Sequence, residues 1–263
     1  MLGWSINLFK VFGIQLAVHA SFLLLLGYYG YEGWRDDGLP GLYWSLGLIV
    51  LFFVCVILHE LGHSLTARRF GVKVPRILLL PIGGMAEFDH IPRKPSEELL
   101  ITIAGPAVNF VLAALMLPFA WRGFFTSEDI PANSLTDLIV TLWSWNLVMG
   151  LFNLLPVFPM DGGRILRALL AIKLPYLRAT WWAVTVGKIL ALCFAALAAF
   201  YFHNPVSCVL FLFIFWAGEA EYKMTLRREQ EALYWEELAR QVRPVEVPPP
   251  DREPPLLPYH GPN

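Results

Sequence analysis

Charge is what this sequence has least of. Only 16% of its 263 residues are Asp, Glu, Lys or Arg, where soluble domains carry roughly 25%, so a solvated surface over the whole chain is excluded. An excess of basic residues is missing too. Twenty Lys and Arg against 21 Asp and Glu give a net charge of -1, which supplies no basic face, and no nucleic-acid partner is expected. Cysteine is scarce: Cys55, Cys193 and Cys208 all lie in apolar stretches. Three such residues do not make a disulfide framework, and they read as small packing residues. No internal repeat is visible.

What fills the chain instead is apolar, with 57% hydrophobic residues and a mean hydropathy of +0.55. A bilayer crossing needs about 20 apolar residues. Five clear runs and one shorter one fit, at 14–30, 42–67, 98–121, 135–158, 179–202 and 205–222. The last two meet at His203-Asn204-Pro205, a turn signal. The first run is long and has no clean small-residue cleavage site after it, so it reads as a span and not as a signal peptide.

Basic residues alternate between connections. Lys10 precedes the first run, Arg68, Arg69, Lys73, Arg76, Arg93 and Lys94 follow the second, Arg164, Arg167, Lys173 and Arg178 the fourth, and Lys223, Arg227 and Arg228 the sixth. The other connections hold only Arg35 and Arg122. By the positive-inside rule both termini face the cytoplasm, and six spans fit the alternation. Residues 219–241 are charged and free of Gly and Pro, which predicts a cytosolic helix; from Pro244 eight of twenty residues are proline, which predicts an extended or disordered end. The expected organisation is a membrane domain over 1–222, a cytosolic helix over 223–243 and a Pro-rich tail over 244–263.

The second run contains His59-Glu60-Leu61-Gly62-His63. On a helix, residues i and i+4 share a face, so both imidazoles can reach one metal ion, with Glu60 beside them as a general base. An acidic group at the centre of an apolar helix costs roughly 2.5–3.5 kcal/mol, so the cluster calls for a function. A lone buried His would be met by an interhelical hydrogen bond; a full pentad is not. Catalytic zinc takes three protein ligands and leaves one position open. The fourth run ends in NLLPVFPMDGGR, which places Asp161 three residues from Arg164, while His63 lies five from Arg68. At 1.5 Å per helical residue both groups fall within about 15 Å of the cytoplasmic boundary, so their depths match. Pro156 and Pro159 would break the helix there, and irregular backbone at membrane depth is tolerated where it lines a cavity or is buried in protein.

HELGH within an apolar helix, followed by N-x-x-P-x-x-x-x-D-G, resembles the site-2 protease family of intramembrane zinc metalloproteases. The runs FGVKVPRILLLPIGGMAEF, AGPAVNF and NLLPVFPMDGGRILRALL look like its bacterial and archaeal members, and the likeness covers about residues 5–222. The resemblance implies that His59, His63 and Asp161 bind Zn2+ and that Glu60 activates zinc-bound water. It implies that Asn153 hydrogen-bonds substrate or the developing oxyanion. The stretch Pro81–Phe88, with Gly83 and Gly84, would be a membrane-dipping β-hairpin that pairs with an unwound substrate strand; a plain cytoplasmic turn is the alternative. Asn109 would line the site or make an interhelical hydrogen bond. His19 reads as structural or substrate-facing, and Cys55 as packing or, less simply, a regulatory thiol. Many relatives carry PDZ or CBS domains, and neither is expected here.

The expected fold is therefore an all-α polytopic membrane protein with six transmembrane helices, the dipping hairpin and a cytosolic helical tail. The expected function is cleavage of a peptide bond in or near a substrate's transmembrane segment, in regulated intramembrane proteolysis. By resemblance the setting is a plasma (inner) membrane, with the lipid bilayer as partner. Membrane-bound transcription-factor precursors, anti-sigma factors and signal-peptide remnants are compatible membrane-protein substrates, and a homo-oligomer is as compatible as a monomer. A transporter or proton relay could use the same polar residues, but would show paired broken helices in two halves. A catalytically silent scaffold would not need Glu60.

Overall fold

The computed structural model describes residues 4–90, 92–125, 133–201 and 203–241; the Pro-rich stretch 244–263 lies outside the described residues. The described chain begins with strands β1 (Ser5–Val11) and β2 (Ile14–His19), continues into helix α1 (Ala20–Arg69), and returns to strands β3 (Arg76–Leu80) and β4 (Gly83–Glu87). Helices α2 (Pro95–Phe125), α3 (Leu135–Asn153), α4 (Asp161–Ala171), α5 (Tyr176–Phe200) and α6 (Pro205–Gln241) follow. Five of these helices, α1, α2, α3, α5 and α6, are long and apolar enough to cross a membrane.

Two expectations are corrected here. The architecture is mostly helical but not all-α, because the four strands form one sheet in the order β1-β2-β3-β4. The expected first span was drawn from residue 14, but Ile14–His19 is a strand and the helix starts at Ala20, where His19 Nδ1 accepts the Ser21 backbone N–H at 3.2 Å as an N-cap. The alternating run IQLAVH is apolar enough to merge with the helix after it, so hydropathy alone does not separate them.

α1 is not one continuous helix: its two arms correspond to the first two expected spans. It is broken at Asp37 (φ -141°, ψ 25°) and Gly38 (φ 60°, ψ -141°), with Pro40 opening the second arm, where a missing N–H costs nothing. The arms fold back on each other. Phe22 meets Phe53 edge-on at 4.5 Å, Gly30 faces Leu46, and Gly33 faces Gly41 so closely that a Cβ on either would strike the other's carbonyl oxygen. These pairs share a nearly constant residue sum, the signature of an antiparallel helical hairpin. The hairpin is thus the crossover that lets β2 and β3 pair in parallel, Gln15 with Arg76 through Val18 with Leu79, a connection two parallel strands always require.

The sheet is attached to this hairpin and buries Ile14, Leu16, Ile77 and Leu79 among Phe22, Phe53 and Val56. β3 and β4 form a β-hairpin, with Leu80 opposite Gly83; it begins at Arg76, five residues before the expected stretch Pro81–Phe88. α5 and α6 form a second helical pair, with Phe194 stacked on Phe211 at 5.2 Å and Lys188 paired with Glu219. The apolar run 205–222 and the charged stretch after it form one unbroken helix to Gln241.

A buried ionic knot ties the two halves together. Arg167 of α4 is 1% exposed; its Nε and Nη2 donate to Glu98 Oε1 of α2 at 2.8 and 2.6 Å, and its Nη1 to Glu221 Oε1 of α6 at 2.9 Å. The guanidinium also lies 5.2 and 5.1 Å from the rings of Phe158 and Tyr176. Removing one partner of such a pair strands the other charge in a low-dielectric interior, at about 3–5 kcal/mol, whereas replacing both by apolar groups is far milder. Arg167→Leu is therefore expected to destabilise the fold by that amount and Arg167→Leu/Glu98→Leu to recover most of it, read by unfolding in detergent micelles. Equal loss in the single and double variants would mean that the charge pairing is not what holds α4 to α2.

Candidate metal centre

The site forms where α1, α2 and the start of α4 meet. His59 and His63 lie on one face of α1, one turn apart, and are 3% and 7% exposed. Asp161 is the first residue of α4, presented by a stretch of irregular backbone after α3 stops at Asn153. That stop comes three residues before Pro156, as the two prolines of the segment require.

Three ligand-type atoms converge. His59 Nε2 and His63 Nε2 are 3.1 Å apart, and Asp161 Oδ2 is 3.3 Å from the first and 3.2 Å from the second. A tetrahedral zinc ion with bonds of about 2.0–2.1 Å holds its ligand atoms about 3.3 Å apart. The triangle is thus one face of a zinc tetrahedron, with the fourth corner left for water or substrate.

Hydrogen-bond polarity supports this independently. His63 Nδ1 lies 2.8 Å from the Ile101 carbonyl oxygen, which can only accept, so Nδ1 carries the proton. His59 Nδ1 lies 2.5 Å from Asn109 Oδ1, whose amide is oriented by its own NH2 donating to Asn146 Oδ1 at 3.0 Å. Both Nε2 atoms are then bare lone pairs facing each other and a carboxylate. Asp161 Oδ2 is buried with no hydrogen-bond donor, despite two nitrogens within 3.3 Å. Protonating both Nε2 atoms would put two imidazolium charges 3.1 Å apart in a buried site, a strongly disfavoured arrangement. Three ligand atoms converging with at most one proton among them suit a cation, and His, His and carboxylate suit zinc.

The cradle for that ion is a glycine. A Cβ at Gly105 of α2 would collide with His63 Nε2 and come within 2.8 Å of His59 Nε2. At Gly62 a Cβ would sit 2.7 Å from the Ala104 carbonyl, so α1 and α2 touch backbone to backbone beside the ligands.

Glu60 faces the β-hairpin. Its Oε2 accepts the Ala86 backbone N–H at 3.2 Å, and a Cβ at Gly84 would fall 2.5 Å from Glu60 Cγ. Gly83 opens β4 with φ 136°. Among the residues singled out from sequence, His59, His63 and Asp161 are brought together, with Glu60 and Gly84 alongside. Asn109 is fully buried behind His59, hydrogen-bonded between helices. Asn153 donates to the Met149 carbonyl of its own helix at 3.0 Å, and the structure does not join it to the ligand triangle. Cys55 is buried in α1. Sequence reasoning missed Gly105 and Asn146. Gly105 stood in the quoted AGPAVNF run, a Gly-Pro pair inside a span. Asn146 was a lone amide on an apolar helix, seven residues before Asn153 and on the same face.

Known proteins resemble this chain in sequence and in fold. The sequence profile of Peptidase family M50 matches residues 47–125 and 121–194. A zinc metalloprotease of Methanocaldococcus jannaschii is 42% identical over 224 residues, which is 85% of this chain and 62% of that protein. Stage IV sporulation protein FB of Bacillus subtilis is 33% identical over 132 residues, covering 50% of this chain and 43% of its own length. The chain thus spans less than two thirds of these relatives. The solved structure of a site-2 protease from Methanocaldococcus jannaschii superposes with a TM-score of 0.60 at 41% identity, over 83% of this chain and 95% of that one.

Gly105→Ala should place a methyl group in the ion's position. Zinc measured by mass spectrometry on detergent-purified protein is expected to fall from about one per chain to nearly none, with the helical circular dichroism unchanged. A full zinc equivalent on the variant would show that the ion does not sit in this cradle.

Proposed function

The chain belongs to peptidase family M50, and from that membership we propose that it is an intramembrane zinc metalloendopeptidase acting on membrane-protein substrates. The observation that carries the reading is the triangle of three ligand-type atoms, 3.1–3.3 Å on each edge, with a half-buried carboxylate, Glu60, one residue along.

His59, His63 and Asp161 would hold the zinc. When bound, zinc supplies a Lewis acid that polarises the scissile carbonyl and lowers the pKa of a water molecule. Glu60 takes the proton from the attacking water and returns it to the leaving amine. Asn153, with one amide N–H on Met149 O, has the other N–H left to donate to a substrate carbonyl or oxyanion.

A helix hides its carbonyls, so the substrate must unwind and present an extended strand. β4 is the last strand of the sheet, and open space beside Gly83, in contrast to Gly84 packed on Glu60, lets a second backbone come close, which supports strand pairing there. Counting the two arms of α1 separately gives six crossings, with both termini cytoplasmic by the basic-residue alternation. A plasma membrane is the proposed setting. Membrane-bound transcription-factor precursors, anti-sigma factors and signal-peptide remnants are the substrate classes we put forward.

Glu60→Gln should keep its zinc and lose cleavage by about 10²–10⁴-fold, whereas Asp161→Ala should lose both. Metal analysis paired with cleavage of a reconstituted transmembrane substrate reads the two together. Undiminished cleavage by Glu60→Gln would sink the assignment of the base.

A further inference from the structure

We infer that Asn146 is a positioning residue for the metal centre: through Asn109 it fixes which nitrogen of His59 carries the proton and so keeps the ligand lone pair pointed at the ion. The inference rests on the zinc reading above and extends it to a residue on a different helix, one that touches neither ligand nor substrate.

The reasoning starts at a group with no choice. The Leu142 carbonyl oxygen of α3 can only accept, and it receives Asn146 Nδ2 at 2.8 Å. That turns Asn146 Oδ1 toward α2, where it receives Asn109 Nδ2 at 3.0 Å. Asn109 must then present Oδ1 to α1, and it does so to His59 Nδ1 at 2.5 Å. An acceptor there requires Nδ1–H, and a neutral imidazole with Nδ1–H has its lone pair on Nε2. One backbone carbonyl thus sets the polarity of the whole relay, and its far end is a bare Nε2 in the ligand triangle.

Both amides are 0% exposed, so water does not compete for these bonds, and neither amide can flip without setting like groups against each other. His63 reaches the same state in a single step, with Nδ1 on the Ile101 carbonyl. The two ligands are therefore oriented by backbone carbonyls of two different helices, α2 directly and α3 through two side chains. Groups that hold the far nitrogen of a metal-binding imidazole typically change metal affinity by about 10–100-fold when removed.

Asn146→Leu deletes the hydrogen bonds to the Leu142 carbonyl and to Asn109, together with the hydrogen bond to the Cys55 thiol, and frees the Asn109 amide to turn its NH2 toward His59. Asn146→Asp, neutral in this buried position, keeps an O–H donor for the Leu142 carbonyl and an acceptor oxygen for Asn109 Nδ2 and so keeps the polarity. The experiment is zinc affinity and zinc release rate of full-length protein in detergent, by competition with a chromophoric chelator, beside thermal melts of the metal-free forms. The expected result is zinc binding weakened about 10–100-fold in Asn146→Leu and close to wild type in Asn146→Asp, whatever the two melting temperatures do. Wild-type affinity in Asn146→Leu would overturn the inference. So would equal loss of affinity in both variants in step with lowered melting temperatures, since that is what a packing role predicts. If the wild type itself takes up no zinc, the metalloprotease reading fails and this inference fails with it; a wild type that binds zinc with an indifferent Asn146→Leu removes this inference alone.

Discussion

Two imidazole lone pairs and a carboxylate oxygen, 3.1–3.3 Å apart inside an apolar bundle, set the terms for everything around them. Like partial charges in a low dielectric repel strongly, and a cation among them relieves that repulsion. The surrounding helices are arranged to hold the three atoms in place against that repulsion. α2 contributes the Ile101 carbonyl, the Asn109 amide and a glycine exactly where any side chain would intrude, and it does so at backbone contact with Gly62 of α1. Arg167 bonded to Glu98 fixes α4, and with it Asp161, to the same helix. Most of the stabilising polar contacts in the core converge on α2.

The sheet poses the opposite problem. An edge strand carries backbone N–H and C=O groups without partners, which is unfavourable away from water. Here the edge of β4 is turned toward α1, and the N–H of Ala86 is taken by Glu60. The same carboxylate that stands beside the ligands therefore satisfies the backbone group an added strand would need. Irregular backbone between Asn153 and Asp161 is handled in the same economical way, with Val157 N donating to Leu155 O at 2.7 Å and Met160 N to Val157 O at 3.0 Å, so that the turn closes on itself.

How much of this could be read from the sequence depended on the range of the interactions. The His59–His63 pair is local, set by the helical repeat, and needed no tertiary knowledge. Asp161 was reachable because basic residues mark depth, so that two distant segments could be placed at one level. The helix stop ahead of Pro156 followed from covalent geometry. The sheet was another matter. Register between Gln15 and Arg76 joins segments separated by all of α1, and no periodicity in IQLAVH reveals it. The bend at Asp37–Gly38 falls between the two apolar runs, which mark both arms but not the close antiparallel contact between them. Gly105 and Asn146 were illegible for a related reason: each matters through what lies across a helix interface, and a glycine or a lone amide within an apolar run has many uses.

The two polar clusters of the core also differ in what they ask of the fold. Arg167 with Glu98 and Glu221 is a set in which opposite charges meet directly, although Glu98 Oε2 is buried without a hydrogen bond. The ligand triangle has no such internal answer, because all three members are acceptors. Its neighbours cannot neutralise it; they can only orient it, which is why every contact to the imidazoles is made at the nitrogen pointing away from the centre. A site organised in this way suits an ion, and beside it the Glu60 carboxylate reaches the β4 backbone at the Ala86 N–H.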